Sequence, residues 1–352
     1  MKTHDFYYDL PERLIAQTPV EPRDASRMLV CNRNNHHRAH RHFFDLPEYL
    51  RPGDAVVINH TKVIPARLIG IKVDSGVACE VLLLKRLEQD LWEALVRPGR
   101  RLKTGSQVTF GTGELQAEIL ESTEFGGRVV HFRYNGVFEQ ILDALGQMPL
   151  PPYIHEKLED KSRYQTVYAR FSGSAAAPTA GLHFTPQIMQ AIEDKGAQVI
   201  PILLHVGLGT FRPVKAENLD EHVMHEEYYE VSAGAAERIN AARAKGGRIL
   251  CIGTTSLRTL ETVTDERGIV HPGQGMTGIF IKPGYHFKAC DMLLTNFHLP
   301  ESTLMMLVSA FMGLDNALDA YWEAVKAEYR FFSFGDCMLI ADGLVKGQDH
   351  HE

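Results

Sequence analysis

The chain has 352 residues, an apolar fraction of 44%, a charged fraction of 23% and a formal net charge of −7. Because one hydrophobic core usually serves no more than about 250–300 residues, this length predicts two domains. No window resembles a membrane span, the opening Met1–Asp9 is too polar for a signal peptide, and the negative charge argues against indiscriminate nucleic-acid binding, which together favour a cytoplasmic protein with at most a local basic patch.

The N-terminal stretch predicts a short strand followed by a helical turn, over Phe6 to Gln17, with Pro11 at a favoured first position. A run rich in turn formers and arginine follows, and it contains Arg23 and Arg27.

From about Lys62 to Tyr134, short β-type runs alternate with glycine-containing turns. The runs are Val63–Val73, Ala78–Lys85, Leu91–Val96, Val108–Phe110, Gln116–Leu120 and Arg128–Tyr134. This spacing predicts a small β-barrel or sandwich.

After the proline-rich joint at residues 149–152, helical and strand patterns alternate. Thr185 with Pro186 predicts a capped helix start, Val199–His205 a strand, Ala233–Lys245 a helix and Arg248–Ile252 a strand. We therefore expect an α/β protein: a large layered mixed α/β domain of residues 1–61 and 150–345, an inserted β-barrel domain of residues 62–149, and a disordered tail of residues 346–352.

Three segments combine glycine, threonine and histidine where a strand ends, which is where open α/β sheets bind ligands, and a fourth precedes an apolar helix. The first, Ala177–Pro186, leads into a helix whose free amides would suit an anion, and it offers Thr179, Gly181 and His183. A capped helix with a packed histidine explains the same residues.

The second segment, Leu204–Phe211, contains Gly207, Gly209 and Thr210 after an apolar strand that ends near His205. Alternate glycines would let the backbone approach a flat ligand, although a tight bend with a β-bulge is the simpler interpretation. The third glycine of the dinucleotide fingerprint is missing.

The third segment, Ile252–Arg258, places Thr254 and Thr255 at a predicted helix start, with Arg258 available for a carboxylate or phosphate. In the fourth, Leu294–Thr303, Asn296 and His298 flank an aromatic residue and could bind the edge of a heterocycle. The alternative for the third segment is that its hydroxyls only cap the helix, and the alternative for the fourth is that it is an ordinary helix entry.

We expect no metal site. The five cysteines are dispersed and behave as small buried hydrophobes, and His36, His37, His40 and His42 stand among arginines that disfavour a divalent cation. Arg97, Arg101 and Lys103 form a basic turn in the β-region, which Arg23 and Arg27 would extend into a stripe that follows RNA phosphates.

In their order along the chain, these segments resemble the S-adenosylmethionine:tRNA ribosyltransferase-isomerase family of queuosine biosynthesis. The resemblance includes Glu21–Arg27, Val63–Arg67, Ala94–Gly99, Tyr164–Ala169, the four segments above, Pro283–Tyr285 and Tyr329–Asp336. It departs at Asn59-His60-Thr61-Lys62, where the family commonly has Asn-Asp-Thr-Arg or Asn-Asn-Thr-Arg, and at Ala175–Ala177, which replaces a run that usually contains valine.

The resemblance implies a cytoplasmic, monomeric enzyme that consumes S-adenosylmethionine as a co-substrate and needs no cofactor. It implies that the ribosyl group is transferred to 7-aminomethyl-7-deazaguanine in the tRNA anticodon loop, leaving epoxyqueuosine, adenine and methionine. His183, His205 and His298 are the candidate proton carriers, with Glu226 or Glu227 as carboxylate alternatives. A non-catalytic tRNA-binding protein and a methyltransferase are the competing interpretations.

Overall fold

The computed structural model describes residues 1–123, 126–156, 158, 160–207, 214 and 216–344. Across these residues the chain forms the following strands, numbered in chain order: β1 Arg27–Asn32, β2 Arg38–His42, β3 Ala55–Asn59, β4 Thr61–Val63, β5 Arg67–Lys72, β6 Ala78–Arg86, β7 Leu91–Arg97, β8 Gln107–Phe110, β9 Leu115–Ser122, β10 Arg128–Tyr134, β11 Phe171–Ser174, β12 Gln198–Leu204, β13 Glu227–Val231, β14 Ile249–Ile252, β15 Gly273–Thr277, β16 Met292–Asn296 and β17 Cys337–Ala341. The helices are α1 Phe138–Leu145, α2 Pro186–Asp194, α3 Ala233–Ala244, α4 Gly253–Val263, α5 Thr303–Met312 and α6 Leu314–Lys326.

The chain divides into two compact units. One contains Met1–Thr61, Pro151–Phe171 and Ala177–Glu352, and the other contains Lys62–Leu150 and Ser172–Ala176. The predicted tail at residues 346–352 lies outside the described residues.

The larger unit is built on a mixed sheet with the strand order β15-β13-β12-β3-β14-β16-β17-β1-β2. Its central strands β12, β3, β14 and β16 are mutually parallel. Strand β3 is buried along its whole length, with Val57 in one hydrophobic cluster and Val56 in the other. Helices therefore cover both faces of the sheet, as parallel strands require.

Local signals explain several of the helices. Thr185 caps α2 by accepting a hydrogen bond from the Ile188 amide at 3.3 Å, and Pro186 occupies the first turn, as predicted. The strand predicted near Phe6 is wrong, because the chain forms a short 3-10 turn at Thr3–Phe6, whereas the helical turn predicted after Pro11 is present as a 3-10 turn at Glu12–Leu14.

The smaller unit contains a closed barrel of the described strands in the order β10-β7-β6-β5-β8-β9, with every neighbouring pair antiparallel. Side chains alternate along β5, so that Leu68 is buried while Ile69 is 48% exposed. Gly70 is required because a Cβ there would collide with the Phe110 ring. The predicted mixed α/β class with a β-barrel is confirmed.

All five cysteines are buried and free of disulfides, in agreement with the prediction that they act as small hydrophobes. Among the described residues, no helix is both long and apolar enough to cross a membrane.

A buried ion pair ties the amino ends of two central strands together. The Asp54 carboxylate accepts hydrogen bonds from Arg248 Nη2 at 2.6 Å and from the amides of Arg51 and Arg248 at 2.9 Å each. Burial alone would raise the pKa of Asp54, but the hydrogen bonds from Arg248 and Arg51 outweigh it and lower that pKa.

We expect Asp54→Asn to lower the free energy of unfolding by about 2–4 kcal/mol, because the new amide NH₂ faces donors that now need an acceptor. Arg13→Gln is the matched control, since the Arg13–Glu328 pair is exposed and should contribute less than about 1 kcal/mol. Urea unfolding curves measure both effects. Equal midpoints for the two variants would contradict the structural role of Asp54.

Candidate active site

The carboxyl ends of the four parallel strands meet at one edge of the large sheet, because parallel strands all point the same way. Strand β12 leads into His205, β3 into His60, β14 into Gly253 and β16 into Phe297. The sequence segments singled out for chemistry are therefore brought together by the sheet.

A cleft of about 650 Å³, counting its solvent-open part, lies at this edge. Of the predicted site residues, its walls include Thr179, Thr254, Thr255, Asn296 and His298. Five other predicted site residues do not line the cleft in the described part of the chain: Gly181, His183, His205, Gly207 and Arg258. Gly209 and Thr210 lie outside the described residues.

Helix α4 begins with Gly253 at the cleft, so Thr254 and Thr255 lie in its first turn. Gly253 adopts a φ of +81°, a conformation that favours glycine and lets the strand turn directly into the helix. No side chain of the described chain caps this helix, and the Thr255 hydroxyl is buried there without a hydrogen-bond partner. Free amides and the helix dipole make this end a site for an anionic group.

Asn296 is held by two hydrogen bonds on opposite sides of its amide. Its Nδ2 donates to the Phe332 carbonyl at 2.8 Å, so its Oδ1 accepts from His183 Nε2 at 3.2 Å. His183 Nδ1 then accepts from the Ser26 hydroxyl at 2.7 Å. Burial lowers the pKa of His183 to about 4, which keeps the ring neutral at pH 7. His183 thus orients Asn296 from behind the cleft wall.

His298 lines the cleft and is the best placed of the three predicted histidines. Its Nε2 lies 2.8 Å from the Thr295 hydroxyl, and its backbone amide donates to the Tyr321 hydroxyl at 3.1 Å. Burial lowers the pKa of His298 to about 3, so the imidazole is neutral at pH 7, with a ring nitrogen free of its proton, and it is a weak base.

The third histidine, His205, lies outside the cleft wall, where its Nδ1 is 2.8 Å from the Thr61 hydroxyl. The next residue, Val206, does line the cleft. Burial, with the neighbouring His60, lowers the pKa of His205 to about 4.

The carboxylate alternatives differ from each other in exposure. Glu226 is exposed, whereas Glu227 is buried, forms an ion pair with Arg258 and accepts a hydrogen bond from the Gly207 amide at 2.9 Å. Since its oxygens already serve these partners, Glu227 fixes the turn after β12. Arg258 keeps Nε and Nη2 without partners among the described residues.

Sequence reasoning missed the wall formed by Tyr153, Phe332 and Ser333. The Tyr153 hydroxyl lies 2.7 Å from Ser333 Oγ, and its ring is 4.7 Å from the ring of Phe332. Phe332 has a φ of +70°, which is strained for a bulky side chain and presents its carbonyl to Asn296. Such an isolated left-handed residue leaves no pattern in the sequence.

A turn-stabilising carboxylate holds Phe332 in this conformation. Asp336 accepts hydrogen bonds at 2.8 Å from the amides of Arg27 and Arg330. The motif Tyr329–Asp336 therefore acts through its backbone geometry.

Gly181 also has a packing role. A Cβ at Gly181 would collide with the Tyr168 hydroxyl and with Thr166, so only glycine fits between these side chains and the turn.

The predicted basic stripe divides into two groups. The side chains of Arg97, Arg101 and Lys103 are exposed and pair with no carboxylate among the described residues. Arg23 instead donates to the carbonyls of Gln165 and Ser162 at 2.7 and 2.9 Å, and Arg27 lies 3.8 Å over the Tyr329 ring. The last two arginines are therefore used within the fold.

Three of the four clustered histidines of the sequence contact different side chains. His36 pairs with Asp319 at 2.9 Å, His40 with Glu323 at 3.2 Å, and the His42 ring stacks on Phe44. Within the described parts of the chain, no three metal-binding side chains converge.

Residues 3–340 match the model of a family described as queuosine biosynthesis protein. A relative from Symbiobacterium thermophilum, named S-adenosylmethionine:tRNA ribosyltransferase-isomerase, is 60% identical over 340 residues, covering 97% of this chain and 100% of the relative. A relative of the same name from Moorella thermoacetica is 60% identical over 341 residues, with the same coverage.

The crystal structure of an S-adenosylmethionine tRNA ribosyltransferase from Thermotoga maritima is 39% identical and superposes with a TM-score of 0.55, covering 96% of this chain and 99% of that one. With the whole fold and nearly the whole sequence matched, this chain belongs to the queuosine biosynthesis protein family that these ribosyltransferase-isomerases share.

Proposed function

We propose that this protein transfers and isomerises the ribosyl group of S-adenosylmethionine onto 7-aminomethyl-7-deazaguanine at the tRNA wobble position. The products are epoxyqueuosine in the tRNA, adenine and methionine. The observation that carries the proposal is the cleft at the strand ends, in a chain 60% identical to relatives named for this activity. The sulfonium compound is a consumed co-substrate, and the protein works without a cofactor, as a monomer in the cytoplasm.

The reaction sets clear demands on the cleft. A sulfonium acidifies the neighbouring ribose methylene, so a base that removes a proton there creates an ylide carbon that can rebuild the ring. The site must then protonate the departing adenine and keep water from reactive intermediates.

The start of α4 is the best candidate for holding the methionine carboxylate. Its first amides are uncapped, and the buried hydroxyl of Thr255 lies at the same end without a partner in the described chain. Arg258 adds spare guanidinium donors on the same helix.

His298 is the best candidate for the base, because it is the cleft-lining histidine and is neutral. His183 and Phe332 use one acceptor site on Oδ1 and one N–H of Nδ2 of Asn296. The second acceptor site and the second N–H of Asn296 would bind the edge of a heterocycle. His183 is accordingly a positioning residue. On the barrel, the exposed Arg97, Arg101 and Lys103 would contact RNA phosphates.

The purified protein, supplied with S-adenosylmethionine and tRNA carrying the deazaguanine precursor, should release one adenine for each modified tRNA formed. Chromatography of the small molecules and mass spectrometry of the digested RNA measure the two products. Formation of S-adenosylhomocysteine and methylated RNA would instead indicate a methyltransferase. Salt-sensitive tRNA binding without any consumption of the sulfonium compound would indicate a binding protein.

His298→Ala should lower kcat for adenine release by at least about 100-fold, the usual contribution of a positioned base. His271→Ala is the control, since His271 is an exposed histidine paired with Asp265. Single-turnover adenine release, with folding verified by circular dichroism, measures the effect. If His298→Ala retained kcat within about threefold of the His271→Ala value, His298 would not be the base.

The buried His183 predicts a specific pH dependence of stability. In the unfolded chain its pKa returns to about 6.5, so below that pH the unfolded state binds a proton that the folded ring, with a pKa of about 4, does not. Stability from this residue is therefore complete above pH 6.5 and is lost as the pH falls toward 4, by about 2 kcal/mol at pH 5.

His183→Leu should accordingly lose less stability than the wild type between pH 7 and pH 5, although it is less stable at pH 7. Ser26→Ala is the matched control, because it removes the hydrogen bond to His183 and keeps the imidazole. Urea unfolding at both pH values gives the comparison. An unchanged pH dependence in His183→Leu would contradict the prediction, because it would show that the pKa of His183 is the same in the folded and the unfolded chain.

A further inference from the structure

A row of four aromatic rings lies at the carboxyl ends of β3 and β12. The rings of His60 and Phe171 are 4.8 Å apart, and those of His205 and Tyr228 are 5.8 Å apart and nearly parallel. The two pairs are linked through the chain: His205 Nδ1 lies 2.8 Å from the hydroxyl of Thr61, the residue after His60, and His60 is close enough to lower the pKa of His205. The proposed chemistry makes no use of this row beyond naming His205 as a candidate.

Backbone hydrogen bonds fix the row in place. The amides of Arg170 and Phe171 both donate to the His60 carbonyl, at 2.8 and 3.3 Å, and the His60 amide donates to Ile202. The His205 amide donates to the Tyr228 carbonyl at 2.9 Å. Because these bonds belong to paired strand ends, the rings are held before any ligand arrives.

One end of the row is open to solvent and positively charged. Phe171 is 47% exposed, an unusual position for a phenylalanine ring, and the Arg170 guanidinium lies 5.5 Å over it. Among the described residues, Arg170 pairs with no carboxylate. The residue after His205 in the chain, Val206, lines the wall of the cleft.

Exposed aromatic faces beside an arginine are the groups on which unpaired RNA bases stack, with the cation favouring the adjacent phosphate or the ring face. A base can be modified in the cleft only after it leaves the stack of its loop. Its neighbours in the loop then need a surface that replaces the lost stacking, and the row offers one beside the cleft.

We propose that the row formed by His60, Phe171, His205 and Tyr228, with Arg170 beside it, is a stacking surface for the unpaired anticodon-loop bases that flank the base being modified. This inference rests on the proposed function for its ligand. It assigns RNA contacts to the larger unit, in addition to the basic turn of the barrel.

The test is a fluorescence titration with an anticodon stem-loop RNA that carries 2-aminopurine next to the wobble position, without S-adenosylmethionine. Stacking on the row should quench the probe when the wild type binds. Phe171→Leu keeps an apolar side chain but loses the aromatic face, and should raise Kd roughly 5- to 50-fold and reduce the quenching. Phe171→Trp should restore both.

Phe44→Leu is the matched control, because Phe44 is also about half exposed and stacks on a histidine, yet belongs to no strand end at the cleft. It should leave Kd within about twofold of the wild type. In steady-state assays, Phe171→Leu should raise KM for tRNA while KM for S-adenosylmethionine stays the same.

Equal Kd values for the wild type, Phe171→Leu and Phe44→Leu would overturn the proposal, and so would a wild type that does not bind the RNA. The adenine assay separates this failure from that of the proposed reaction. If the wild type releases adenine and Phe171→Leu binds the RNA as tightly as the wild type, only the stacking surface is wrong. If Phe171→Leu binds the RNA more weakly but the wild type releases no adenine, only the proposed reaction is wrong.

Discussion

The parallel pairing of β12, β3, β14 and β16 is the constraint on which the candidate site depends. Because these strands run in one direction, the residues that follow them reach the same edge of the sheet although they are far apart in sequence. Strand ends have free backbone groups and can place polar side chains without interrupting the core. At the opposite end of β3, Asp54 and Arg248 close the sheet with a buried ion pair, so the two ends have different tasks.

Hydrogen bonds across the sheet determine how the polar groups at this edge are oriented. Asn296 has a fixed amide because His183 supports it on one side and the strained Phe332 carbonyl on the other. Burial keeps the histidines neutral, and neutral imidazoles can pass protons or hold a neighbour without bringing a charge into the cleft. The same burial makes them weak bases, so the proposed proton removal depends on how acidic the sulfonium makes its neighbour.

Recognition of the two substrates makes opposite physical demands. A small sulfonium compound needs a cleft with groups that bind its carboxylate, and in the proposed function the uncapped start of α4 would bind it. An RNA loop needs open surface, positive charge and flat rings. In the proposed function, the ring row and the exposed basic turn of the barrel would meet that second demand, although the chain as a whole has a net charge of −7.

Local patterns in the sequence were enough to predict the capped α2, the alternation of the barrel strands and the mixed α/β class, because capping and two-residue periodicity depend on neighbours in the chain. They also identified Thr254, Asn296 and His298, which line the cleft. The family and its reaction came from the order of many motifs along the chain.

Tertiary structure decided which candidates act together. In the folded chain His183 lies behind the cleft wall and hydrogen bonds to Asn296, and Glu227 forms an ion pair with Arg258. Tyr153 packs against Phe332, although the two residues are far apart in the sequence. Left-handed backbone at Phe332 and hydrogen bonds between distant residues arise only when the packed chain imposes them. The sequence by itself determined the barrel strands, the capped helix α2 and the family, whereas the burial and orientation of each site residue depended on contacts that exist only in the folded chain.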